Sequence, residues 1–512
     1  MKIGTAPLLH RRADQFSDSG CFDTPDSQSD LPYSPESVDC PIRFETPCFS
    51  DDRHPKADAN QRTVKLHNRM NSFAAPTPIL IHGGRVVDPA NGIDRIARLL
   101  VTGGEIAVID PSDDDIPGDA NWIDAAGKIV APGLVDLGTE LRQPGREEDE
   151  TIQTGSNAAL AGGYTSLLCC SNTNPVIDSA ASVELVTQIA QRVGGVRVYP
   201  IACLSKSREA EQMAELAILH EAGAIGFSDS PRSMPNDALL KRALDYCRMF
   251  DLPIFDRPEV PGLAEGGVMH DGRVSLVLGL RGLPTEAEDL AIARDVRLAE
   301  ATKGRLHVGP VSTMGAIDMI GRVKARDIAI SASVCPHNLH GSDELLRSFD
   351  ARYKVHPPMR SSRHMELLQA AVADGTIDAI QTGHMPRARE KKGNDLELAP
   401  FGAAALETTL SATATDMVRT GILDWPRAIE CLSTNPARIA KLNAGTLSVG
   451  TAADVIIIDP ATTWTVQPEH FRSKCKSSPM EGRTLHASVS QTIVGGRVLY
   501  MNADSNAATS VI

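Results

Sequence analysis

Residues 128–145 read KIVAPGLVDLGTELRQPG, and this stretch passes from an apolar run into a polar turn. The apolar part, near 128–137, is typical of a strand that is buried on both faces, as in a parallel sheet. Amphipathic helical segments separate it from seven comparable runs, near 164–170, 196–203, 224–228, 252–256, 305–311, 327–334 and 377–382. The strand–helix alternation predicts an α/β fold, a (β/α)8 TIM-type barrel.

An open, doubly wound sheet is the alternative for elements that alternate in this way. No G-x-G-x-x-G motif follows the first strand, so the barrel is the preferred prediction. In such a barrel the chemistry is carried by the loops at the carboxyl ends of the strands. Functional residues are therefore sought where the apolar runs end.

The two flanks of the barrel region are rich in short strands. Apolar runs around Gly-Gly turns occur at 79–87 and 98–109, and similar runs occur at 454–458 and 492–499. They predict one composite β-sandwich formed from both flanks. The segment before it is rich in Asp, Ser and Pro without periodicity, which predicts disorder. The expected division is 1–75 for the N-terminal extension, 76–127 for the first sandwich part, 128–440 for the barrel, and 441–512 for the second sandwich part with a C-terminal tail.

The composition argues against several classes of partner. The formal net charge of -14 disfavours a nucleic-acid or anionic-membrane surface, which needs clustered Lys and Arg. No apolar run approaches the roughly 18–20 residues that span a bilayer. The ten cysteines include no C-x-x-C pair, and the adjacent Cys169 and Cys170 are expected to be buried thiols. We expect a cytoplasmic protein without nucleic-acid or membrane partners.

The ends of the predicted strands carry a series of motifs that resembles the dihydroorotase family of the amidohydrolase superfamily. The first-strand signature is Ala131–Gly145. The resemblance spans about 78–503, and its many ordered motifs are more specific together than any one alone. The later motifs are Ser171–Asp178, Gly266–Met269, Val311–Thr313, Cys335–Leu339, Pro357–Arg360, Thr382–Pro386, Ala399–Gly402, Leu406–Thr408 and Asn435–Ala437.

The resemblance implies a barrel with one or two zinc ions at the strand ends. In active relatives the metal activates water for attack on the ring amide of dihydroorotate, and the reverse reaction closes carbamoyl-aspartate. This chemistry requires a Lewis acid that lowers the pKa of water. It also requires a carboxylate that carries the proton.

Five of the family's six metal-ligand positions are substituted in this chain. Glu140 could coordinate a cation and Asp229 keeps the strand-four carboxylate. Glycine, proline and arginine side chains have no atom that can bind a metal ion. A catalytic zinc generally has about three protein ligands. The sequence therefore resembles the metal-free, non-catalytic homologues, with no cofactor and no catalytic residue. The six positions fall on Gly138, Glu140, Asp229, Arg257, Pro310 and Gly383, the last in place of the family's catalytic Asp.

The substrate-pocket positions are partly kept. Arg142 and Asn172 match the family's pair for the substrate carboxylate. His384 keeps the strand-eight histidine, whereas His356 replaces an asparagine and Arg387 replaces the second strand-eight histidine. These remnants could form an anion pocket at the barrel mouth.

Two arginines have a purely structural role as the alternative to the pocket hypothesis. Arg142 could form an ion pair with Glu140, two positions away. Arg257 could fill the space left by the metal and pair with Asp229 or Glu140, because a buried guanidinium needs a counter-charge.

Three functions remain open at this stage. The first is a non-catalytic subunit of pyrimidine biosynthesis, a pseudoenzyme that assembles with aspartate carbamoyltransferase, as the resemblance implies, in a hetero- or homo-oligomer. The second is an active cyclic-amide hydrolase in which Glu140, Asp229 and His384 hold one metal. The third is a small-anion binding module.

Overall fold

An eight-stranded parallel sheet forms the centre of the computed structural model, which describes residues 76–326 and 328–502. The strand order follows the chain, and neighbouring strands are parallel throughout. The predicted α/β fold class is confirmed. The strands are Leu134–Thr139, Tyr164–Cys169, Arg197–Ala202, Gly226–Phe227, Ile254–Asp256, Leu306–Val308, Ile330–Val334 and Ala379–Ile380.

The sheet curls so that its first and last strands meet. The backbone N–H of Thr382 donates to Oδ1 of Asp136 at 2.7 Å, and the Thr382 hydroxyl donates to Oδ2 at 2.8 Å. The backbone N–H of Glu140 donates to the carbonyl of His384 at 3.1 Å. A buried carboxylate and one backbone bond therefore join the two edges of the barrel.

Helices cover the outer face of this sheet, and the largest apolar core lies between them and the strands. No helix in the described ranges is long and apolar enough to cross a membrane. The α-helices are Ile152–Ala161, Ala180–Val193, Leu216–Glu221, Asp237–Arg248, Pro261–Ala264, Arg273–Leu278, Thr285–Thr302, Met314–Lys324, Pro336–His340, Ser362–Asp374, Arg389–Lys392, Thr409–Thr413, Trp425–Ile429 and Asn435–Ile439. Short 3-10 turns lie at Pro89–Asn91, Asp113–Asp115, Lys206–Arg208, Asp343–Ser348, Ala351–Tyr353 and Pro468–His470, and π-helical stretches at Ala414–Val418 and Glu430–Thr434.

The flanks form two further sheets that pack around a separate apolar cluster, including Ile81, Leu99, Val455 and Ile493. The six-stranded sheet joins both flanks of the chain, as predicted. In order, its strands are Arg497–Met501, Thr484–Val494, Val455–Thr465, Ile129–Pro132, Arg85–Asp88 and Ile93–Ile96. The four-stranded sheet contains Glu105–Ile109, Leu99–Thr102, Ile79–His82 and Asn121–Asp124, and a two-stranded ladder pairs Met269–His270 with Gly282–Leu283.

The first predicted strand, near 128–137, is divided between two sheets. Ile129–Pro132 pairs antiparallel with the flank strand Val455–Thr465, and the barrel strand begins only at Leu134. The chain crosses at Gly133, where a Cβ atom would lie 2.2 Å from the Thr165 hydroxyl oxygen. Only glycine allows this close approach. The predicted extension at 1–75 lies outside the described residues.

Candidate functional site

Glu140 and Arg142 form a buried ion pair just beyond the end of the first barrel strand. Their Oε2 and Nη2 atoms are 2.5 Å apart, and the side chains are 5% and 1% exposed. Burial alone would raise the pKa of Glu140, but Arg142, a hydrogen bond from Asn172, and the charges of Arg387 and Arg257 together lower it. The ion-pair alternative for Arg142 is therefore the observed arrangement.

Arg387 lies on the other side of this pair. Its Nε donates to the carbonyl of Phe401 at 2.9 Å, and its Nη1 is 3.9 Å from the buried Asp149 carboxylate. Burial and the neighbouring Arg142 lower the pKa of Arg387, while Glu140 opposes that change. Arg142 and Arg387 thus lie close enough for their charges to act on each other.

Arg257 does not pair with Asp229 or Glu140. Its guanidinium contacts Nδ1 of His356, and Nε2 of that histidine lies 2.9 Å from the Glu259 carboxylate. Among the described residues no ion pair joins Arg257 to either expected partner, so that prediction is wrong. The sequence could not reveal this, because the contact joins residues 99 positions apart.

Asp229 points into a neighbouring loop. Its Oδ1 accepts the backbone N–H groups of Leu204 at 2.9 Å and Ser205 at 3.1 Å, and the Ser205 hydroxyl donates to Oδ2. Burial raises the pKa of Asp229, although these hydrogen bonds oppose the rise. This carboxylate organises the loop after the third barrel strand.

His384 also turns away from the predicted pocket. Its Nδ1 accepts the backbone N–H of Ala405 at 3.2 Å, and its Nε2 is 3.5 Å from Glu150. Glu150 in turn accepts the Ser473 hydroxyl and the Lys474 backbone N–H. The expectation that His384 joins the arginines at the mouth is wrong. The buried Glu150 carboxylate lies beside His384, next to Ser473 and Lys474 of the C-terminal flank.

Gly383 has no room for a side chain. Its φ of 63° is left-handed, and a Cβ atom would lie 2.5 Å from Sγ of Cys335. Gly138 faces Gln381, whose Nε2 would be 3.4 Å from an added Cβ. Pro310 lies near Arg257 and has no donor atom. A cavity of about 30 Å³ remains beside Gly138 and Arg257, with room for a water molecule or two.

The donor set does not fit the zinc that the fold family implies. Three positions provide no donor, one provides a guanidinium, and the two carboxylates are held by other partners. Across 76–326 and 328–502, no group of three or more His, Cys, Asp or Glu side chains is arranged to hold a metal ion. No hydrolytic step through a metal can be derived from these residues.

The sequence indicated no site role for three residues that shape the site: Glu150, Cys335 and Gln381. Gln381 accepts the Ser333 hydroxyl at 2.7 Å and fills the barrel interior, and Cys335 takes the space beside Gly383. The acidic run 147–150 after the first strand was the only available signal for Glu150. His307, in the sixth barrel strand, forms hydrogen bonds with the Ser331 and Ser333 hydroxyls at 2.9 Å.

A curled parallel sheet with converging polar loops and a composite β-sandwich is the architecture of the amidohydrolase class. Residues 127–315 match the dihydro-orotase-like family and residues 281–499 match the amidohydrolase family. A putative dihydroorotase of Rhodopirellula baltica is 74% identical over 86% of this chain and 96% of its own length. A dihydroorotase of Anaeromyxobacter dehalogenans is 41% identical over 82% of this chain and 98% of its own length.

The chain therefore belongs to the dihydroorotase family of the amidohydrolase superfamily. Among solved structures, the L-hydantoinase (dihydropyrimidinase) of Arthrobacter aurescens resembles it with a TM-score of 0.75 and 24% identity, covering 83% of this chain and 96% of that one. This likeness supports the fold.

Proposed function

We propose that the chain is a non-catalytic dihydroorotase homologue that holds no catalytic metal. The observation that carries this proposal is the lack of space for a side chain at Gly383. The family's proton-carrying Asp would have to occupy a left-handed backbone site where a Cβ already meets Cys335. The substitution and its packing partner together support a site adapted to the absence of that carboxylate.

The remaining polar side chains do not supply a substitute. Opening a cyclic amide requires an activated water and a group that carries its proton. Arg142 binds the Glu140 carboxylate, and backbone amides bind Asp229. The Glu150 carboxylate lies beside the His384 ring. An altered hydrolase that uses these three residues together would need each of them to leave its present partner.

The small-anion module is also less well supported than the pseudoenzyme. Arg142 and Asn172, the expected anion ligands, already contact the Glu140 carboxylate. A free anion would compete with a tethered one that has no entropy of association to lose. No observation favours this function over the first.

The proposed role is that of a structural subunit that assembles with aspartate carbamoyltransferase in pyrimidine biosynthesis, in the cytoplasm. The partner follows from the resemblance to metal-free homologues. A fold can outlast its chemistry, because barrel packing and loop chemistry depend on different residues. The seven cysteines in the described ranges that are free are all buried, which is compatible with a reducing compartment.

Co-purification tests this role. The tagged full chain is isolated from its native extract, and purified carbamoyltransferase is then mixed with it and analysed by size-exclusion chromatography with light scattering. We expect co-elution at a fixed stoichiometry, unchanged in an Arg142→Met control because the strand-end site takes no part. Separate elution at micromolar concentrations contradicts the assembly role.

A further inference from the structure

We propose that Glu140 is a built-in occupant of a carboxylate site, and that removal of its side chain opens this site to acetate. Glu140, Arg142 and Asn172 are 4%, 1% and 5% exposed, so the contact is fully enclosed by protein. Occupancy of this site by a carboxylate does not depend on the catalytic status or the partner of the chain.

Hydrogen bonds from Arg142 to other residues orient its guanidinium toward Glu140. Its Nε donates to the carbonyl of Pro386 at 3.3 Å, which leaves Nη2 toward the Glu140 carboxylate at 2.5 Å. The backbone N–H of Arg146 donates to the Arg142 carbonyl at 3.0 Å and fixes the turn. Contacts that do not involve Glu140 therefore hold Arg142 in the orientation that binds a carboxylate.

The surrounding charges favour an anion at this point. Arg387 and Arg257 both act on the Glu140 carboxylate, in addition to Arg142. Asp149 is a second carboxylate near Arg142 and Arg387, but Lys391 already binds it at 2.9 Å. A vacant Glu140 position would leave the buried Arg142 without its counter-charge, which is strongly unfavourable.

Truncation gives a chemically matched test. Glu140→Ala removes a methylene carbon and its carboxylate, the atoms that acetate would restore. Glu140→Gln is the matched control, because the amide keeps the volume and leaves no space for acetate. Melting temperatures are measured for both variants and the wild-type chain in sodium acetate and in sodium chloride at equal ionic strength.

We expect acetate to raise the melting temperature of Glu140→Ala saturably, as ligand binding to the folded state requires. The wild-type chain and Glu140→Gln should show no difference between the salts. The Glu140→Ala/Arg142→Met double variant should lose the response. Formate should act more weakly than acetate, because it lacks the methyl group.

Three results overturn the proposal. One is an acetate response of equal size in all variants, which indicates a general salt effect. Another is a Glu140→Ala chain that folds but does not respond, or that remains unfolded in both salts. The last is saturable acetate binding by the wild-type chain that Arg142→Met abolishes, since the site would then be vacant.

Discussion

Gly383 has a backbone conformation and a neighbouring atom that both oppose a side chain at this position. Its φ of 63° disfavours any L side chain, and Sγ of Cys335 lies where a Cβ would be, at 2.5 Å. Cys335 is itself fully buried after the seventh barrel strand. Reversion of this one residue therefore meets two independent obstacles.

Gly383→Ala should lower the free energy of unfolding by about 2–4 kcal/mol, because backbone strain and overpacking add. Gly194→Ala is the control: its φ is 66°, but no atom lies within 4 Å of an added Cβ. It should cost about 1 kcal/mol in urea denaturation, since only the backbone is strained. Equal losses in the two variants would contradict the packing argument, as would the lack of any recovery in Gly383→Ala/Cys335→Ala.

Glu407 should make stability depend on pH. Burial raises its pKa to about 7, although the backbone N–H groups of Arg472 and Ser473 bind the carboxylate. Because the folded pKa exceeds the unfolded one, the folded chain binds more protons between about pH 4.5 and 7. The stability from this group is complete below that window and is lost as pH rises to about 7.

Glu407→Gln should therefore gain stability relative to the wild-type chain across this window, by up to about 3 kcal/mol at pH 7. The amide oxygen can still accept the two backbone hydrogen bonds. Urea denaturation at a series of pH values measures the difference, with the exposed Glu221→Gln as a control. A difference that stays constant with pH, or that falls as pH rises, is incompatible with the raised pKa.

At the residue scale, the sequence reveals which positions lack donor atoms but not where the other side chains point. Gly138, Pro310 and Gly383 have no side-chain atom that could bind a cation in any conformation, so their identity alone supports a prediction. The partners of Arg257 and His384 depend on packing between distant segments, such as the approach of Glu150 to His384. No local pattern encodes these contacts.

One buried side chain, Asp136, makes the side-chain contacts that close the barrel between its first and last strands, beside the backbone bond from Glu140 to His384. Its two oxygens accept the backbone and hydroxyl groups of Thr382, and the Thr139 hydroxyl also donates to it. The last strand is only two residues long, Ala379–Ile380, so few backbone bonds support this edge. The Asp136 side chain thus links two neighbouring strands that backbone hydrogen bonds would otherwise join.

Asp136→Ala should lower the free energy of unfolding by about 2–4 kcal/mol, because several buried donors lose their acceptor. Asp136→Asn should lose less, since one oxygen can still accept the Thr382 N–H. Hydrogen exchange should accelerate at 134–139 and 379–382 in the Ala variant. Unchanged exchange in both segments would show that the closure does not depend on this carboxylate.

At the element scale, the apolar runs located all eight strands of the barrel, because strands buried on both faces are nearly continuous in apolar residues. The boundary inside 128–137 was missed for the same reason. Only Gly133 separates Ile129–Pro132 from the apolar start of Leu134–Thr139, and the long-range pairing with Val455–Thr465 assigns the first piece to the flank sheet.

The whole molecule has the fold of its family, as its likeness to the L-hydantoinase structure shows. Among the described residues, no group of three or more His, Cys, Asp or Glu side chains is arranged to hold a metal ion. At the mouth, ion pairs and backbone hydrogen bonds engage the side chains that remain. Selection on assembly would preserve such a scaffold, whereas selection on hydrolysis would preserve the ligands.

The most direct test is the zinc content of the purified full chain, expressed and dialysed with added zinc, together with its rate of carbamoyl-aspartate cyclisation. We expect no stoichiometric zinc and no turnover above the buffer rate. One or more zinc ions per chain, with turnover that Asp229→Ala abolishes, would contradict the proposed non-catalytic role.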